Sequence, residues 1–133
     1  MHRRPVLPII PVEETIMANP FVHLDLITGD VDKAKAFYGA LFDWNLRHVP
    51  GMNYMIVKVG KGTCGGMMAC LGPEVSPQWL PHVHVEDIAD TLARARTLGA
   101  TVIKEVTEVP GMGWCGILVD PGGAALALWQ PKT

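Results

Sequence analysis

The chain has 133 residues, 49% apolar and 18% charged, with 11 Lys plus Arg against 13 Asp plus Glu and a formal charge of −2. That length suits one domain able to bury about two-thirds of its unfolded surface, and the apolar content excludes a disordered chain. The slight acidity offers no basic face for nucleic acid, and the apolar runs fall short of the ~20 residues of a membrane-spanning helix.

Residues 1–18 read as an extended N-terminal tail, because Pro5, Pro8 and Pro11 interrupt every apolar run. A single domain is expected over residues 19–133. Residues 21–27 alternate, with Val22, Leu24 and Leu26 on one side and Phe21, His23 and Asp25 on the other. This is the pattern of a strand with one apolar face. Asp30 stands where a helix N-cap belongs, and Val31, Ala34, Tyr38 and Leu41 follow at helical spacing as a buried stripe. Short strands are expected near residues 44–49, 53–59 and 67–71, separated by Pro-Gly and Gly-rich turns.

The second half runs the same way. Pro81, Val83 and Val85 oppose Leu80, His82 and His84; Asp87 caps a helix whose stripe is Ile88, Leu92, Ala95 and Leu98. Strands are expected near residues 101–107, 113–119 and 124–130. Val49-Pro-Gly-Met-Asn-Tyr54 recurs as Val109-Pro-Gly-Met-Gly-Trp114 at an offset of 60, while Asp30-Val31 recurs as Asp87-Ile88 and Gly65-Gly66 as Gly122-Gly123 at 57. The chain therefore reads as two βαβββ modules, about residues 19–73 and 79–133. Pairing their small sheets gives an α+β fold with a curved eight-stranded trough, helices on the outside.

If the apolar sides of the strands face the helices, Phe21, His23 and Asp25 enter the trough from the first strand and Leu80, His82 and His84 from the fifth. Met68, Cys70, Ala125, Ala127 and Trp129 line the closing strands, and Tyr54, Trp79 and Trp114 are assigned to the sides. Met52, Met55, Met67, Met68 and Met112 are expected to fill the core. Cys64, Cys70 and Cys115 are odd in number and lack Cys-x-x-Cys spacing, so reduced thiols in a cytoplasmic protein are expected.

The segments Phe21-Val-His-Leu-Asp-Leu26, Gly29-Asp-Val-x-Lys-Ala-x-x-Phe-Tyr38 and Val119-Asp-Pro-Gly-Gly-Ala-x-Leu-x-Leu-Trp129 resemble the glyoxalase, bleomycin-resistance and extradiol-dioxygenase superfamily, the vicinal-oxygen-chelate proteins. The resemblance covers about residues 19–131 and implies the paired βαβββ fold. Its metal-dependent members hold a divalent ion with one ligand from the first and last strand of each module. Carried over, that quartet falls on His23, Cys70, Leu80 and Ala127, of which Leu80 and Ala127 cannot coordinate and Cys70 is a soft thiolate.

The leading expectation is thus a small-molecule-binding protein with an apolar trough and no cofactor. Its ligand contacts would be Phe21, His23, Asp25, Tyr54, Met68 and Cys70 from the first module, and Trp79, His82, His84, Trp114 and Trp129 from the second. One alternative is a lyase, isomerase or dioxygenase. It would use His23 and Asp25 as an acid–base pair, or a divalent metal on His23, Asp25, His82 and His84, a donor set suited to non-haem iron or zinc. A non-catalytic interaction module is the other. A homodimer is expected, since isologous pairs are the commonest oligomers.

Overall fold

The computed structural model describes residues 18–133 except 71 and 74; the tail expected over residues 1–18 lies outside them apart from Ala18. The elements in chain order are β1 (Phe21–Thr28), α1 (Val31–Leu41), β2 (Asn45–His48), β3 (Tyr54–Lys58), β4 (Gly65–Ala69), β5 (Gln78–His84), α2 (Ile88–Thr97), β6 (Thr101–Val109), β7 (Gly113–Val119) and β8 (Ala125–Pro131). Their order is βαβββ twice, as expected. Among the described residues no helix is long and apolar enough to cross a membrane.

All eight strands join one sheet in the order β2-β3-β4-β1-β5-β8-β7-β6. Each half contributes four adjacent strands, and the halves meet where β1 runs antiparallel to β5. There His23 lies opposite His82 and Asp25 opposite Leu80. A shift of 57 residues exchanges these two pairs.

Both helices start as their caps dictate. Asp30 Oδ1 accepts the Lys33 backbone N–H at 3.0 Å, and Asp87 Oδ1 accepts that of Asp90 at 3.0 Å. The Gln130 side-chain oxygen accepts the Ile88 N–H at 2.8 Å, tying α2 to β8. Asp120 Oδ1 takes the N–H groups of Gly122 and Ala124, which turns the chain from β7 into β8.

The helices cover one face of the sheet. Ala34 of α1 packs on Leu26, Met55, Val57 and Met67, and Ile88 and Leu92 of α2 pack on Val85, Leu118 and Leu128. A third cluster lies on the opposite, concave face, where Ile27, Leu80, Ile117 and Ala127 meet Val75 from the β4–β5 connection. Fully burying a side chain such as Ile27 or Leu80 contributes about 1.5–3 kcal/mol.

Several expectations need correction. Leu41 and Leu98 are exposed, because α1 ends at Leu41 and α2 at Thr97, so neither side chain has a helical turn beyond it to press it inward. Met52 and Met112 are exposed on the Pro-Gly turns, whereas Met55 and Met67 are buried. The fourth strand begins at Gly65, earlier than expected, because paired Gly residues let β4 lie close against β1.

Candidate functional site

The concave face carries a polar network centred on Asp25. Asp25 Oδ1 accepts the Tyr54 phenol at 2.6 Å and lies 2.7 Å from His23 Nε2, which is 2.8 Å from the same phenolic oxygen. Asp25 Oδ2 lies 3.3 Å from His82 Nε2. The other nitrogen of His82, Nδ1, is 3.2 Å from the Leu80 carbonyl oxygen. The two imidazoles meet edge to face, with centroids 5.1 Å apart. Asp25 and His82 are the buried polar residues of the described chain.

Proton counting assigns the donors. Burial is the largest influence on Asp25 and favours its neutral form. It is outweighed by the hydrogen bond from His23, the charges of His23 and His82, and the Tyr54 bond, so the carboxyl is held below its ordinary value of 3.8. Burial and then Asp25 push the Tyr54 phenol far above its ordinary value of 10.0, and it remains a donor. With Oδ1 ionised and the phenolic proton already on it, His23 Nε2 must carry the proton it shares with Asp25; a lone pair there would face a carboxylate at 2.7 Å.

His82 has a harder problem. Its two nitrogens face two acceptors, Leu80 O and Asp25 Oδ2, and a neutral imidazole has one N–H. Only the imidazolium would satisfy both. Burial opposes that form and dominates, against the attraction of Asp25, so the pKa falls below the ordinary 6.5; the charges of His23 and Lys104 push the same way.

Two glycines make room for two aromatic rings on this face. A Cβ on Gly66 would overlap the Tyr54 phenol and come within 2.6 Å of Asp25 Oδ1. At Gly113 a Cβ would lie 2.8 Å from Trp129 Cζ2. Trp129 pairs with His84 on one side and Cys115 on the other. Burial raises the Cys115 thiol above its usual value, consistent with an inert side chain.

The other expected ligand contacts divide. Met68, beside Ile27 and Tyr54, and Cys70 border the concave cluster. Trp79 and Trp114 do not: they belong to the helix face. Trp79 Nε1 donates to the Tyr38 hydroxyl at 3.3 Å, and its ring meets Tyr38 edge-on at 5.5 Å and Trp44 at 6.2 Å. Trp114 packs into the α2 cluster, with the Lys132 ammonium 5.4 Å above its ring. The physical reason is alternation: Trp79 is in phase with Pro81, and Trp114 with Leu118, not with the residues that enter the trough. Phe21 is also displaced. The register slips between Phe21 and His23, so Phe21 lies opposite Val83 and stays largely exposed. Sequence reasoning missed Val75 and Ile117. Alternation along β7 would have found Ile117; nothing local marks Val75.

The four positions that the superfamily resemblance assigns to a metal do not fit one. Leu80 and Ala127 are hydrocarbon and fully buried in the concave cluster. Among the described residues no three His, Cys, Asp or Glu side chains are grouped to hold a metal ion, and His23 Nε2 is engaged by Asp25 and Tyr54.

The model of a family described as a glyoxalase-like domain matches residues 21–129. Proteins of Mycobacterium tuberculosis and Mycobacterium bovis, each named "Putative glyoxylase CFP32", are 34% identical over 110 residues, 80% of this chain and 42% of theirs. The chain thus spans under half the length of these relatives. Among solved structures, methylmalonyl-CoA epimerase from Mycobacterium tuberculosis superposes with a TM-score of 0.59 at 18% identity, covering 85% of this chain and 88% of that one. A glyoxalase/bleomycin resistance protein/dioxygenase superfamily member from Vibrio splendidus 12B01 gives 0.59 at 13%, covering 85% and 99%. At these identities the likeness is one of fold.

Proposed function

This chain belongs to the glyoxalase-like family, and from that premise we propose that it binds a small, largely apolar molecule in the trough, anchored by the polar network around Asp25. One observation carries the reading: a carboxyl group with two imidazoles and a phenol is sunk in a concave face otherwise built from Ile27, Leu80, Ile117 and Ala127. Stability alone does not ask for this arrangement. Burying a carboxylate carries a desolvation penalty of several kcal/mol, and hydrocarbon of similar volume is often as stable or more so. A mostly apolar concavity with a few convergent polar groups is the usual form of a small-molecule site.

A second reading, proton-transfer catalysis without a metal, is favoured by the hold of Asp25 on His23 Nε2, the orientation a general base requires.

Tryptophan fluorescence against a panel of planar apolar compounds tests the binding reading. A saturable change in the natural protein that Trp129→Phe abolishes is the expected result. No response from any member of the panel would contradict it.

A further inference from the structure

The polar network leaves one nitrogen unused. His23 Nε2 is taken by Asp25 and Tyr54, while its Nδ1 has no partner among the described residues. Every buried side-chain nitrogen or oxygen of the described residues is hydrogen-bonded, so Nδ1 is not buried. The side-chain exposures agree: 31% for His23 against 10% for Asp25 and 9% for His82. Because the contact with Asp25 places a proton on Nε2, Nδ1 is the nitrogen that offers a lone pair when the ring holds a single proton.

The trough is uneven along its length. In one part, Val75 joins Ile27 and Leu80 in a buried apolar cluster. In another, the strand register sets His84 beside Trp129, and Trp129 leans over Gly113. His82 lies opposite His23 on one side and Ala127 on the other, so Trp129 stands two residues along β8 from the row that holds His23.

We propose that His23 Nδ1 is the trough's hydrogen-bond acceptor for its ligand, and that the ligand class is a planar apolar body carrying an O–H or N–H donor. The proposal rests on the reading that the trough binds a small molecule, and it adds polarity to it. Asp25 Oδ1 already accepts two donors, Tyr54 has given its proton to Asp25, and His82 is buried. Within the Asp25 network the group left for a ligand therefore accepts and does not donate. A ligand that brings only an ether or carbonyl oxygen finds no partner in His23 and leaves Nδ1 desolvated, at the usual cost of an unmade hydrogen bond.

The test compares para-ethylphenol with its methyl ether, para-ethylanisole, in titrations followed by Trp129 fluorescence, together with long-range proton–nitrogen NMR of the histidine rings. The phenol is expected to bind about tenfold more tightly or better, its addition is expected to shift the His23 Nδ1 resonance, and the ligand-free spectrum to show His23 protonated at Nε2. The preference is expected to vanish in His23→Ala and to return in part in His23→Gln, whose amide oxygen accepts. Equal affinity for the two probes, both perturbing Trp129, would overturn the acceptor assignment while leaving the trough a binding site. A ligand-free spectrum with the proton on Nδ1 would overturn it without any ligand. Failure of the whole planar panel would instead remove the binding reading on which it rests.

Discussion

Gly66 and Tyr54 share one volume: the phenol occupies the space that a side chain on Gly66 would fill, and from there it reaches Asp25 at 2.6 Å. The site is therefore assembled across strands. β4 supplies the absence of a side chain, β3 the phenol, and β1 the carboxylate and imidazole. Gly66→Ala is expected to drive Tyr54 off Asp25 and to destabilise the protein by about 1–3 kcal/mol in urea titrations, through overpacking and a lost hydrogen bond. An unchanged midpoint would mean that the ring does not lie there.

Tyr54→Phe keeps the ring and removes the donor. The Asp25 carboxyl should then titrate higher, since a hydrogen bond to its charged form is gone. Its lowered pKa contributes stability that is present above about pH 3.8, its unfolded value, and lost as pH falls through the folded value. The variant should lose part of that contribution, read as a carboxyl resonance of Asp25 that moves at higher pH than in the natural protein.

His82 predicts a second acid-sensitive interval. Its folded pKa lies below the ordinary 6.5, so the unfolded chain takes up a proton first as pH falls and the native state loses stability below about pH 6.5. Above that value the contribution is fully present. Unfolding midpoints of His82→Gln should fall less steeply through this interval than those of the natural protein; identical slopes would assign the sensitivity elsewhere.

The alternation of residues 21–27 made the central strand legible, together with the trough-facing placement of His23 and Asp25. The spacing of the repeated segments made the two modules legible. Tyr54 was assigned only to a side wall, because its bond to Asp25 depends on a glycine twelve positions further along the chain that no period marks. Trp79 and Trp114 were misplaced where residue type outweighed strand phase. Phe21 was misplaced because a slip of register moves a side chain to another row and leaves no mark in the pattern. The closure by Val75 arises in a connection between strands, where neither period applies.

Leu80 and Ala127 carry a prediction about metals. Addition of manganese, nickel or zinc in slight excess should leave the thermal midpoint unchanged, because ligands bound to the native state raise it and the family's quartet here has two hydrocarbon members. A rise of several degrees with one of these ions, lost in His23→Ala, would show a donor set that the side-chain geometry does not provide.

The most direct test of the account is a crystal structure of the protein soaked with para-ethylphenol. Density for the ring between β1 and the Trp129 side of β8, with its hydroxyl in hydrogen-bond reach of His23 Nδ1, is the result expected. A probe seated on the helix face, or a His23 ring swung away from Asp25 with the trough empty, would contradict it.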